Sequence, residues 1–298
     1  MKNLPDLPVQ VPGRQSGFSL IELMIAMVLG LLLMVVISQL FLTSKRNFSA
    51  TDDSARVQEN IRFASQLLTR HLRLAGYRGK ATDPTIGTAN IPGVFPPAFT
   101  PLPPVANTST SGLFGTDGGG AVSDSIKIRF QGSGAGTSGA RVNAATTFMT
   151  ADDAGADGLV VDCRGYKVDA NLISFNQYSI ATGANGSNAL FCNGSEIVSD
   201  VDNMQILYGE ETDVSLSDIN YGPNYYVAAG SVANMDNVTS VKIALLFRSP
   251  NATSDVTISK TYNLLGTTIA SFGDNRSRRA VNITVGLRNR PVKDVSGT

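Results

Sequence analysis

Residues 18–42, FSLIELMIAMVLGLLLMVVISQLFL, form one apolar run. It is long enough to cross a bilayer, for which about 20 residues suffice. A single carboxylate, Glu22, sits within it. A charge in hydrocarbon is unfavourable by about 2.5–3.5 kcal/mol on insertion scales and calls for a partner. Cutting the chain would create one nearby. Cleavage between Gly17 and Phe18 gives Phe18 an amine in the membrane plane of Glu22. The two residues are i and i+4, so they share a helix face. The amine can pair with its own glutamate or with that of a neighbouring copy or related subunit. The second arrangement turns an anchor into an assembly device. The plain alternative is an uncleaved anchor in which Glu22 is incidental.

Residues 1–17 carry prolines at 5, 8 and 12 and cannot form a helix. They read as a leader outside the fold. A secretory signal places its apolar core before the cut; here the cut precedes it, so the membrane segment survives. Charge does not orient the span: Lys2 and Arg14 precede it, and Lys45 and Arg46 follow it. The two cysteines, Cys163 and Cys192, lie in strand-like segments, LVVDCRG and ALFCNGS. A lone pair of this kind reads as a disulfide in an oxidising compartment such as the periplasm. Two buried thiols are the alternative.

Beyond the span a helical pattern continues. Val57, Ile61, Ala64, Leu68, Leu72 and Ala75 recur at spacings of three and four, with Phe63, Leu67 and Leu74 widening the stripe. Arg56, Arg62, Gln66, Arg70 and Arg73 lie off it, and Gly76 supplies a stop. One helix over 18–75, on the order of 85 Å long, would project from a head and pack only its second half against it. His71, the one histidine, lies near the stripe and reads as structural.

Residues 84–104 hold seven of the thirteen prolines and read as an extended surface loop, disordered or in contact with a partner. Alternating strands follow, at 126–130, 171–180, 203–209, 241–247, 256–265 and 281–287. One-sided alternation predicts an antiparallel sheet with a wet face, whose other face the amphipathic half of the helix covers. The expected fold is α+β: a long N-terminal transmembrane and amphipathic helix packed on an antiparallel β-sheet head. Its parts are a leader (1–17), the helix (18–75, with 18–42 in the membrane) and a β-rich head (76–298).

Other chemistries find little support. Gly134, Gly136 and Gly139 match G-x-G-x-x-G, but neither a helix pattern nor a P-loop lysine follows. Asp152, Asp153, Asp157, Asp200 and Asp202 lack the spacing of a calcium loop and read as solvated acids. Arg276, Arg278, Arg279, Arg288 and Arg290 make the C-terminal segment basic, without interleaved aromatics, and read as a solvated face or partner contact. With zero net charge and 16% charged residues, no general nucleic-acid binder is expected. A single histidine gives no nucleophile–histidine–acid set, so neither catalysis nor any metal or cofactor is expected.

The segment GFSLIELMIA at 17–26 resembles the prepilin cleavage and methylation motif of type IV pilins and type II secretion pseudopilins. Segments 55–80, 201–209, 238–249 and 276–290 are similar to the PilW family of minor pilins. The resemblance implies cleavage by a prepilin peptidase after Gly17, N-methylation of Phe18, and a subunit-assembly role for Glu22. It also implies partners: other minor pilins, the major pilin, the inner membrane and a tip adhesin. The role implied is priming of type IV pilus assembly, with final placement at the tip. A J-type pseudopilin of type II secretion and a DNA-uptake subunit are the alternatives. One departure from major pilins is Gln39, which stands where they carry a helix-breaking proline; the helix should therefore stay continuous.

Overall fold

The computed structural model describes residues 17, 19–77, 112–133, 160–168, 173–212 and 222–289. The Pro-rich loop 84–104, the glycine triplet at 134–139, Asp152, Asp153, Asp157 and Arg290 lie outside the described residues.

No proline occurs between residues 13 and 83, and one α-helix, α1 (Leu20–Leu74), fills most of that interval. It runs through Gln39 without a break. The Ser19 carbonyl opens it by accepting the N–H groups of Glu22 and Leu23 at 3.0 and 3.2 Å. Gly76 ends it in the left-handed region at φ 71°, which a side chain would oppose.

The chain divides into two compact units, through Asp52 and from Asp53 onward. In the first, every described side chain from Ser19 to Asp52 is exposed, and α1 is long and apolar enough there to cross a membrane. A helix apolar all round suits lipid rather than water.

In the second unit α1 becomes one-sided. Val57, Ala64, Leu68, Leu72 and Ala75 are buried and join a single core with both large sheets. Each fully buried leucine contributes about 2–3 kcal/mol. Ile61, Leu67 and Leu74 are half-buried. Phe63 departs from the expected stripe and is 47% exposed. Its position six residues beyond Val57 carries it some 240° around the helix, onto the wet side.

Two larger antiparallel sheets and a hairpin replace the single sheet expected from alternation. The first is a meander in chain order: β1 (Leu113–Thr116), β2 (Ser125–Gln131), β3 (Ile173–Thr182), β4 (Asn188–Cys192) and β5 (Ser195–Ser199). The second has β6 (Val201–Glu210), β7 (Tyr225–Val227), β8 (Val238–Arg248) and β11 (Arg278–Gly286), in the order β11-β8-β6-β7. The hairpin is β9 (Tyr262–Leu264) with β10 (Thr267–Ile269). The predicted strand over 256–265 thus shrinks to β9 and a bridge from Ile258 to Asp274.

The expected wet face is missing from β6 and β8, which are buried on both sides over nearly their whole length. Two features cover the outward side. The hairpin packs Tyr262, Leu264 and Ile269 on Ala244 and Leu246. The β1–β2 connection lies along β6, where Asn203 and Gln205 donate to the carbonyls of Ala121 and Val122, both at 2.8 Å. Asp124 completes this join by accepting the N–H groups of Gly118 and Ile206 at 3.0 and 2.7 Å.

The end of α1 is tied directly to the first sheet. Gly76 donates to the Arg129 carbonyl at 2.9 Å, and Arg129 donates to that of Gly112 at 2.7 Å. A Cβ on Gly112 would collide with the backbone of Gly76, so this approach requires glycine.

Candidate functional site

The N-terminal end of α1 holds the predicted processing site. Gly17 is exposed just ahead of the helix, and Phe18 lies outside the described residues. Glu22 is exposed in the first helical turn. It is the one charged residue between Leu20 and Ser44, and Ile21 and Leu23 beside it are 65% and 56% exposed. The arrangement presents a carboxylate on an open apolar surface, one turn from the predicted cut. Chemically it can accept a cation from outside the helix.

Cys163 and Cys192 are joined by a disulfide, with Cα atoms 6.3 Å apart. The bond fastens the 160–168 segment to the end of β4. Asp162 shapes that segment by accepting the N–H groups of Arg164 and Tyr166 at 2.8 and 2.9 Å. Cys163 itself donates to Asn176 Oδ1 on β3 at 2.9 Å.

The structure corrects the expectation of solvated acids at 200 and 202 and of a solvated basic face at the C-terminus. Both aspartates are buried. Arg248 Nε meets Asp200 at 3.1 Å, and Arg278 Nε meets Asp202 at 2.6 Å. Arg278 also grips Asp274 at 2.5 and 2.7 Å. Arg276 donates to the carbonyls of Ser249 and Pro250. Arg279 and Arg288 remain exposed. Arg129 on β2 is also buried, with its guanidinium 4.7 Å above the Phe114 ring. Burial lowers its pKa to about 10.

His71 is fully buried, outside the 18–42 span, with Nδ1 hydrogen-bonded to the Tyr178 hydroxyl. Burial first, and then the Arg70 charge, lower its pKa from 6.5 to about 4. The unfolded chain therefore takes up a proton, between those values, that the folded chain refuses. This contribution is fully present above pH 6.5 and is lost as pH falls to 4, amounting to about 3 kcal/mol. Urea midpoints measured across that window should fall in the wild type, and His71→Gln should remove most of the difference.

Comparisons with known proteins bear on both ends of the chain. Residues 12–38 match the family model described as the prokaryotic N-terminal methylation motif. Residues 177–289, from β3 through the end of β11, match the model described as type IV pilus-assembly protein W. A type IV-like pilin from Thermus thermophilus is similar in structure at 12% identity and a TM-score of 0.40, covering 78% of this chain and 96% of its own. No curated protein matches.

The methylation motif on an exposed apolar helix, joined to an antiparallel β-rich unit, defines a type IV pilin-like protein. Within that class, the two family matches together support a PilW-type minor pilin.

Proposed function

We propose that this chain is a minor pilin that joins other minor pilins in an inner-membrane complex, primes assembly of a type IV pilus and comes to rest at the pilus tip, beneath an adhesin. A prepilin peptidase cleaves after Gly17 and methylates the new Phe18 amine. Glu22 then meets the amine of an adjoining subunit while the apolar helices bundle. The chain acts as a structural subunit and is an enzyme's substrate, with its head in the periplasm.

One observation carries the reading: the apolar stretch of α1, exposed all round from 20 to 44, has one carboxylate, Glu22, in its first turn and within the matched methylation motif. An acid so placed is tolerable once a cation lies beside it. The unbroken helix through Gln39 fits a tip subunit, and the disulfide fits the periplasm. In cells, Glu22→Gln should leave the protein in the inner membrane but abolish its co-purification with the other pilins and the surface pili it primes. Wild-type piliation would contradict the reading. Deletion should stop twitching; loss of exoprotein release instead would point to the J-type pseudopilin.

A further inference from the structure

Several arginines of the second unit are paired with carboxylates. Arg62 pairs with Glu59, Arg164 with Asp162, Arg248 with Asp200, and Arg278 with Asp202 and Asp274. Arg70, Arg73 and Arg288 have no carboxylate partner among the described residues, and all three line one open groove of about 680 Å³.

The fold brings them together from two elements. On α1 and just past it, Gln66, Arg70, Arg73 and Tyr77 fall at spacings of four, three and four, one helical face. That face lies beside the buried stripe. Arg288 arrives from the end of β11, where Asn289 donates to the Arg73 carbonyl at 2.9 Å and fixes the strand end against the helix. Leu74 and Tyr77 give the groove an apolar floor, and Ser65 and Thr69 add hydroxyls.

Three guanidinium groups over an apolar floor complement carboxylates carried on an extended chain. Arginine engages carboxylates through two parallel N–H donors, while the floor takes the backbone and side-chain stems. The zero net charge of the chain makes this a local concentration of cations rather than a general basic surface. We infer that the groove between the C-terminal turns of α1 and the end of β11 docks an acidic peptide segment of a partner protein. This binding surface lies at the far end of α1 from Glu22 and does not depend on the pilus role.

The test uses the full-length protein in detergent and a fluorescent hexaglutamate peptide, with hexaserine as control, read by anisotropy. Binding of hexaglutamate alone should appear at low ionic strength and weaken as salt shortens the screening length. The triple substitution Arg70→Ala, Arg73→Ala and Arg288→Ala should weaken it about tenfold or more. Arg279→Ala, an exposed arginine outside the groove, should leave it unchanged. Four results would overturn the inference. These are no binding, binding indifferent to the triple substitution, displacement by inorganic phosphate at equal molarity, and binding only after residues 290–298 are removed. The last two would assign the groove to a simple anion or to the chain's own tail.

Discussion

Arg278→Ala is expected to lower the unfolding free energy by about 3–5 kcal/mol, the range for leaving a buried charge without its partner. The Arg278 side chain is 3% exposed, as is that of Asp202, and their contact at 2.6 Å joins β11 to β6 across β8. Its two terminal nitrogens hold both oxygens of Asp274, and its guanidinium stacks 3.9 Å from the Phe272 ring centre. Arg248 stands 3.7 Å from Asp202 and is a poor substitute at that distance. Burial already raises the Asp202 pKa against the pull of both arginines, so the truncated variant should take up a proton there. The hydrogen bonds from Arg278 act the other way on Asp274, lowering it to about 2. That contribution is present above pH 3.8, the ordinary value, and fades toward pH 2. Arg278→Lys should be intermediate, because an ammonium cannot serve both carboxylates in the fork geometry. Urea unfolding of the full chain measures both; a loss below about 1 kcal/mol for alanine would mean the network contributes no more than a surface pair.

The second large effect is expected at the disulfide. Cys163 and Cys192 are 29 residues apart. Closing a loop of that size stabilises by about 3–4 kcal/mol, chiefly by restricting the unfolded chain. The double substitution Cys163→Ser and Cys192→Ser should lower the urea midpoint accordingly and make it indifferent to reductant. The 160–168 segment would still be held by the Val161–Lys167 bridge, the hydrogen bonds around Asp162 and Asn176, those of Val160 and Val168 with Ser133, and the burial of Val160 and Val168 in the core. Both cysteines are buried, so the substitution also places two hydroxyls in apolar surroundings, which adds to the loss. An unchanged midpoint would show that those other contacts hold the segment without the disulfide.

The helix was the most legible element because its evidence is periodic and long. The apolar run, the absence of proline and the stripe from Val57 to Ala75 all agree. Gly76 was readable as its stop for the same local reason. The sheets were harder. Alternation in β2 and β11 gave their positions, but it could not show that residues 117–124 and the β9–β10 hairpin cover the second sheet. Such coverage is a long-range event, and it is why β6 and β8 are buried on both faces. The same blindness hid the ion pairs. Asp202 and Arg278 are 76 residues apart, so each looked like an isolated solvated charge. Arg129 was hidden for a related reason: a cation is apt to face water, yet here an aromatic ring one strand away receives it. At the candidate site, Glu22 was conspicuous by type alone, a carboxylate in an apolar run. The groove was not, because its third arginine comes from the other end of the chain.

Assembly through Glu22 turns on whether a new amine arises one helical turn before it. Intact mass and N-terminal sequencing of the protein extracted from membranes of cells that carry the prepilin peptidase test this most directly. The predicted product begins at Phe18 and carries an N-methyl group, and it appears only when the peptidase is present. A mature chain that keeps residues 1–17, or that begins anywhere other than Phe18, would leave Glu22 without its cation and contradict the assembly role.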